Sequence, residues 1–150
     1  MKPAVYMDGK RFVLTEFRSE EEFEKLVIAN SKTLFGKDTV YFDIKRRMDS
    51  RTLGAVIPDG LLFDFKDKEN PEFYLVEAEL AKHDFLRHIF PQITKFFAFF
   101  RNPKSRDALI EALFHIIKED AKIANEFKKF IGGREIFKTL KETVETSQNI

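Results

Sequence analysis

The sequence predicts an α/β domain in which a small mixed or antiparallel sheet of three or four strands is flanked by helices and followed by a helical C-terminal part. Three observations carry that expectation. Residues 56–65 and 73–80 are β-prone runs separated by a polar stretch at 66–72, the pattern of a hairpin. Beyond Asp84, apolar residues recur at helical spacing as far as Val144. A chain of 150 residues with 43% hydrophobic content has the usual size of one domain and can bury a core.

Each element follows from local chemistry. Residues 4–14 read as a short hairpin, because Asp8-Gly9 lies between two β-prone runs and both residues tolerate positive φ. Ser19 and Glu22 form a capping box, and the acids at 20–22 suit the positive end of the helix that follows. Phe23, Leu26, Val27 and Asn30 form the inward stripe of that helix, and Gly36 ends the segment. Residues 40–44 predict a strand, followed by the basic stretch 45–51 as a turn or loop. Asp84 can cap a helix through Leu86, Ile89, Phe90, Ile93, Phe96, Phe97 and Phe100, with Pro91 kinking or interrupting it. Ser105 caps a helix carrying Leu109, Leu113, Ile116 and Ile117, and the next contains Ile123, Phe127 and Ile131. Gly132-Gly133 stops that helix, and Ile136, Leu140 and Val144 mark the last one, with fraying expected from 145. No repeat, low-complexity tract or linker divides the chain. Residues 1–150 are therefore expected to form a single domain, with a core at about 19–100 and a helical extension at about 104–145.

Composition narrows the function classes. Eighteen Phe and no Trp point to an unusually aromatic core, and the absence of Cys excludes disulfides and thiolate metal sites. Met1 to Ala4 are not followed by the apolar stretch of a signal peptide, and no window approaches the roughly 18–20 apolar residues of a membrane span. A cytoplasmic protein without a membrane partner is the expectation. The net charge of +1 does not advertise nucleic-acid binding, although a local basic patch can supply phosphate contacts on a neutral protein.

The chemistry concentrates in the central hairpin. In residues 73–80, strand alternation puts Tyr74, Val76, Ala78 and Leu80 on one face, suited to packing against helices, and Glu77 and Glu79 on the other. A hairpin folding about Lys68-Glu69 places Asp59 opposite Glu77 or Glu79. Cross-strand neighbours lie about 5 Å apart, so three carboxylates are expected to converge. Such a cluster is costly without a cation, and its oxygen-only donors favour Mg²⁺ or Mn²⁺ over zinc. Acids alternating with apolar residues are also the ordinary appearance of a solvent-facing strand.

Ile57-Pro58-Asp59-Gly60-Leu61-Leu62, then Tyr74-Leu75-Val76-Glu77-Ala78-Glu79-Leu80, then Pro91-Gln92-Ile93 together resemble the core of the PD-(D/E)XK, or restriction-endonuclease-like, nuclease superfamily. The resemblance covers roughly residues 19–100 and leaves the C-terminal helices aside. It implies a restriction-endonuclease-like core, with Asp59, Glu77 and Glu79 as metal ligands for Mg²⁺ or Mn²⁺. Glu79 stands where the family usually has Lys, and Lys82 or Lys95 is a candidate for a migrated lysine. Gln92 would point to the site from its helix, and Glu20 or Glu24 would be the first-helix acid. Glu20 is preferred because it lies three residues before Phe23 and seven before Val27.

The implied activity is metal-dependent hydrolysis of phosphodiester bonds, with DNA favoured over RNA. Metal chemistry would stabilise the developing phosphate charge, and Glu79 or a lysine would orient the attacking water. Lys45, Arg46, Arg47 and Arg51 are the candidate phosphate contacts, joined by His83. His88 and Gln92 share a helix face, but two histidines without Cys and without a matched spacing make a poor zinc signature. A homodimer is compatible with each site cutting one strand. The alternative is an inactive nuclease-like module that binds nucleic acid or protein, favoured by the missing triplet Lys and the neutral charge. A glycosidase using Glu77 and Glu79 ranks below both, for want of a deep cleft.

Overall fold

Asp8 and Gly9 take positive φ values of 51° and 71° and turn β1 (Ala4–Met7) back onto β2 (Lys10–Val13). The computed structural model describes residues 3–45, 47 and 57–147. Within them, two antiparallel sheets, six α-helices and one π-helical turn make a mixed α/β fold. The first hairpin pairs with itself and does not extend the central sheet, and Val5, Tyr6, Phe12 and Val13 stay exposed.

The central sheet has the order β3 (Thr39–Asp43), β4 (Gly60–Asp64), β5 (Glu72–Val76). Its strands are shorter than the expected 56–65 and 73–80, and residues 46, 48–56 and 148–150 lie outside the described set. The β4–β5 ladder stops at Gly60–Val76. The residue that would next fall opposite Ala78 is Pro58, which has no N–H and cannot continue a ladder. Glu77 and Glu79 therefore lie just past the strand rather than within it.

The register also corrects the expected facing of β5. Val40, Phe63 and Phe73 form one cross-strand row, and Phe42, Leu61 and Leu75 form the next. These rows, not Tyr74, Val76, Ala78 and Leu80, belong to the main core. The larger apolar groups win that face, and Glu77 follows Phe73 and Leu75 along it, at the margin of the core.

Helices α4 (Pro103–Glu119), α5 (Ala121–Ile131) and α6 (Ile136–Thr146) cover this face. Phe127 sits among Phe42, Phe63 and Phe65, with ring centroids 6.4, 5.6 and 5.1 Å away. Each wholly buried Phe contributes about 1.5–3 kcal/mol by leaving water, so the aromatic composition serves this joint. The cap of α4 is Asn102 rather than Ser105; its side chain accepts the N–H groups of Lys104 and Ser105, and Pro103 takes the first helical position. The last helix continues to Thr146, past the expected point of fraying.

Before the sheet, Ser19 caps α1 (Glu20–Ala29) by accepting from the Glu22 N–H, while the Glu22 carboxylate accepts from the Arg18 N–H. Val27 is buried, but Leu26 is exposed and not part of an inward stripe. A short α2 (Ser31–Phe35) ends at Gly36, where φ is 107°. After β5, Asp84 caps a π-helical turn (Phe85–Ile89) that passes into α3 (Phe90–Arg101). Pro91 explains the change of winding: it cannot donate back to Arg87, and its ring would strike that carbonyl in an α-helix. The wider turn closes instead from the Phe90 N–H to the Phe85 carbonyl. In α3, Phe96 is buried and Phe99 and Phe100 pack on the core, while Phe97 faces solvent with Leu86 and Phe90. No helix of the described residues is long and apolar enough to cross a membrane.

Candidate functional site

Asp59 and Glu77 stand one residue past the last pair of the β4–β5 ladder, and the two are joined directly. The Asp59 N–H donates to Glu77 Oε2 at 3.3 Å. Asp59 itself is 8% exposed, and both of its oxygens are used. Oδ2 accepts the Ala78 N–H at 2.8 Å, the backbone group left free where the ladder stops. Oδ1 accepts from the Lys45 ammonium at 2.7 Å, and the same ammonium donates to Glu24 Oε1 at 2.7 Å. Lys45 thus bridges β3, α1 and the start of β4.

Gly60 is required beside Asp59. A Cβ there would lie 2.0 Å from the Tyr41 hydroxyl and almost as close to its ring. The Tyr41 ring stacks on Phe35 at 5.8 Å, and burial followed by the Asp59 charge pushes its hydroxyl pKa up.

The electrostatics follow from crowding. Burial, then the neighbouring Asp59 carboxylate, raises the Glu77 carboxyl to about 7, only partly opposed by the Asp59 N–H and Lys45. Burial alone would lower the Lys45 pKa, but hydrogen bonds to Asp59 and Glu24 outweigh it and raise it. The pocket is rich in carboxylate, and the ammonium partly compensates it.

Glu79 belongs to a second group. His83 Nδ1 lies 2.7 Å from Glu79 Oε2 and 2.7 Å from Glu20 Oε1, and His88 Nε2 lies 3.5 Å from Glu79 Oε1. One ligand atom from each of Glu20, Glu79, His83 and His88 lies within 4.8 Å of the others. The Nδ1 atom shares its hydrogen bond with Glu79, which leaves the buried Glu20 Oε1 without one. Burial tends to raise the pKa of Glu79, but bonds to His83 and Glu20 dominate and lower it. Burial and the facing Glu79 carboxyl raise that of Glu20.

The expected residues therefore divide. Asp59 and Glu77 meet at the hairpin end, whereas Glu79 turns to Glu20, His83 and His88 among the described residues. Glu20 does reach inward from α1, and so does Glu24, one turn later. Gln92 holds a buried Oε1 with no donor. Lys82 is exposed on the turn before Asp84, and the lysine beside Asp59 is Lys45 instead. Arg47 is engaged by Asp120 at 2.9 Å, and Arg46 and Arg51 lie outside the described residues. His115 is exposed on α4. Sequence reasoning missed the Glu-His group, although Glu79 and His83 at four-residue spacing carried a signal for it. The cavity lined by Glu69, Asn70, Arg134, Glu142 and Thr146 shares no residue with either group.

The chain matches no family model, no curated protein and no solved structure. Chemically, Asp59 and Glu77 offer oxygen donors to a hard divalent ion. A pair of carboxylates suits Mg²⁺ or Mn²⁺, which retain waters and phosphate oxygens in their remaining positions. For such an ion to enter, the Lys45 ammonium has to leave Asp59.

Proposed function

We propose that the protein is a divalent-metal-dependent nuclease that hydrolyses phosphodiester bonds, in DNA rather than RNA, on a restriction-endonuclease-like core. The observation that carries this reading is the pairing of Asp59 with Glu77 at the open end of the central hairpin. The order of elements adds support: a helix with inward acids, a strand, the Pro-Asp-Gly hairpin, the Glu-x-Glu segment and the Gln92 helix.

In this reading Asp59 and Glu77 hold Mg²⁺ or Mn²⁺. The bound ion supplies Lewis-acid stabilisation of the charge that develops on the phosphate. Lys45, released from Asp59, turns its ammonium to the scissile phosphate, the part expected of Lys82. Glu24 keeps that ammonium close, and the Ala78 N–H fixes the Asp59 carboxylate in place. Tyr41 and Gly60 close the other side of the Asp59 backbone.

One observation favours a second reading, a nuclease-like module that binds nucleic acid or protein without cutting. Lys45 already pairs with Asp59, in the place a metal would have to take. Cleavage of plasmid and single-stranded oligonucleotides with Mg²⁺ or Mn²⁺, by wild type and Asp59→Ala, separates the two. Metal-dependent cutting that is lost in Asp59→Ala supports the nuclease. Absence of cutting, or equal cutting by both proteins, rejects it and leaves the binding module.

A further inference from the structure

From the arrangement of Glu20, Glu79, His83 and His88 we infer a transition-metal site, separate from the Asp59–Glu77 pair and independent of the nuclease reading. Its donors come from the first turn of α1, the segment after β5 and the π-helical turn. Two are imidazole nitrogens and two are carboxylate oxygens, a set that suits Zn²⁺ and, less tightly, Mn²⁺, and disfavours Mg²⁺.

The distances fit. A tetrahedral shell with bonds of about 2.0–2.2 Å puts donor atoms about 3.3–3.6 Å apart. The four donor atoms lie within 4.8 Å of one another, so the widest separations must close by roughly 1 Å on binding, a movement open to the part-exposed Glu20 and His88 side chains. The arrangement also contains one buried oxygen without a hydrogen bond. Glu20 Oε1 is buried, lies 2.7 Å from an imidazole nitrogen and accepts no hydrogen bond. A cation in the middle of the four satisfies it and removes the confrontation of the Glu20 and Glu79 carboxyls.

The π-helical turn is the device that brings in the last ligand. It adds one residue to the turn relative to an α-helix and so rotates His88 with respect to α3, and such turns often lie at functional sites. The His83 and His88 rings come to 4.7 Å between centroids. Four protein donors complete a four-coordinate shell with no open position, the mark of a structural ion. The ion ties α1 to the turn before α3. It also fixes Glu79 next to Ala78, whose N–H holds Asp59.

The test is titration of the chelator-stripped full chain with Zn²⁺, Mn²⁺ and Mg²⁺ by calorimetry, with thermal unfolding in parallel. The expected result is one Zn²⁺ per chain, weaker Mn²⁺, no Mg²⁺ at this site, and a raised Tm with Zn²⁺. His83→Ala and His88→Ala should each weaken Zn²⁺ binding by about 100-fold or more, beyond what loss of a supporting group costs, while their metal-free circular dichroism matches wild type. Asp59→Asn should keep Zn²⁺ binding even if it abolishes nucleic-acid cleavage, so the two readings fail separately. Zn²⁺ binding below one per chain, or unchanged in a His83→Ala/His88→Ala double variant, overturns the site. If the single variants prove misfolded, Co²⁺ added to wild type decides the matter: d–d bands typical of four-coordinate cobalt support the site, and the weak spectrum of six-coordinate cobalt rejects it.

Discussion

Replacing Glu77 by Gln should make the metal-free protein more stable at alkaline pH, although the substitution removes a residue of the proposed active site. Glu77 titrates at about 7 rather than at its ordinary 4.5, because burial and then Asp59 disfavour its charge. A carboxyl whose pKa is raised by folding contributes stability below the unfolded value, and loses it as pH rises through the folded value. The window is therefore about pH 4.5 to 7. At about 1.4 kcal/mol per pH unit the full displacement is worth about 3 kcal/mol, and partial solvent access reduces the realised part to about 1–3 kcal/mol. Gln keeps an oxygen that can accept the Asp59 N–H but carries no charge. Urea denaturation at about pH 5 and about pH 8.5, with chelator present, should show wild type losing about 1–3 kcal/mol more than Glu77→Gln between the two pH values. Comparing the two proteins at each pH isolates the contribution of residue 77. Parallel behaviour, or a larger loss in Glu77→Gln, would refute the crowding of Asp59 and Glu77.

Gly60→Ala should cost about 1–3 kcal/mol by forcing the Tyr41 ring away, and Tyr41→Ala in the same chain should recover part of it in thermal melts. Asn102→Ala should destabilise by about 1 kcal/mol through loss of the α4 cap; Ser105→Ala should change little, and the reverse order in urea melts would contradict the cap assignment. Lys45→Met should lower the metal-free Tm, with a cost of about 1–2 kcal/mol for a half-exposed ammonium that leaves Asp59 and Glu24 facing each other. Added Mn²⁺ should raise the Tm of that variant more than that of wild type, since the ion takes the place of the ammonium; equal shifts would count against a cation seat at Asp59.

The fold is legible in the sequence where local chemistry is strong. Asp8-Gly9, Ser19, Gly132 and the stripes at Ile123–Ile131 and Leu140–Val144 act through short-range rules, and the structure follows them. The hairpin register is legible too, because a polar turn between two apolar runs leaves few alternatives. What escapes is long-range. The facing of β5 depends on Phe73 and Leu75 meeting Leu61 and Phe63, not on alternation within one strand. The strand ends because Pro58 stands across from Ala78, a pairing that emerges only once the register is known. Lys45 reads as a phosphate contact from its basic neighbours, whereas Glu24 of α1 and Asp59, just before β4, draw it inward. The π-helical turn, and with it the approach of His88 to Glu79, follows from Pro91, whose expected effect is a kink or a break. A four-residue spacing from Glu79 to His83 hints at the cluster, but Glu20 joins it from more than fifty residues away in sequence.

Anomalous diffraction from a crystal grown with Mn²⁺ examines the Asp59–Glu77 cation seat most directly. A Mn²⁺ peak is expected between Asp59 and Glu77, with the Lys45 ammonium displaced from Asp59. Lys45 still bridging Asp59 and Glu24, with manganese absent there or confined to the Glu20–Glu79–His83–His88 group, would contradict the proposed nuclease centre.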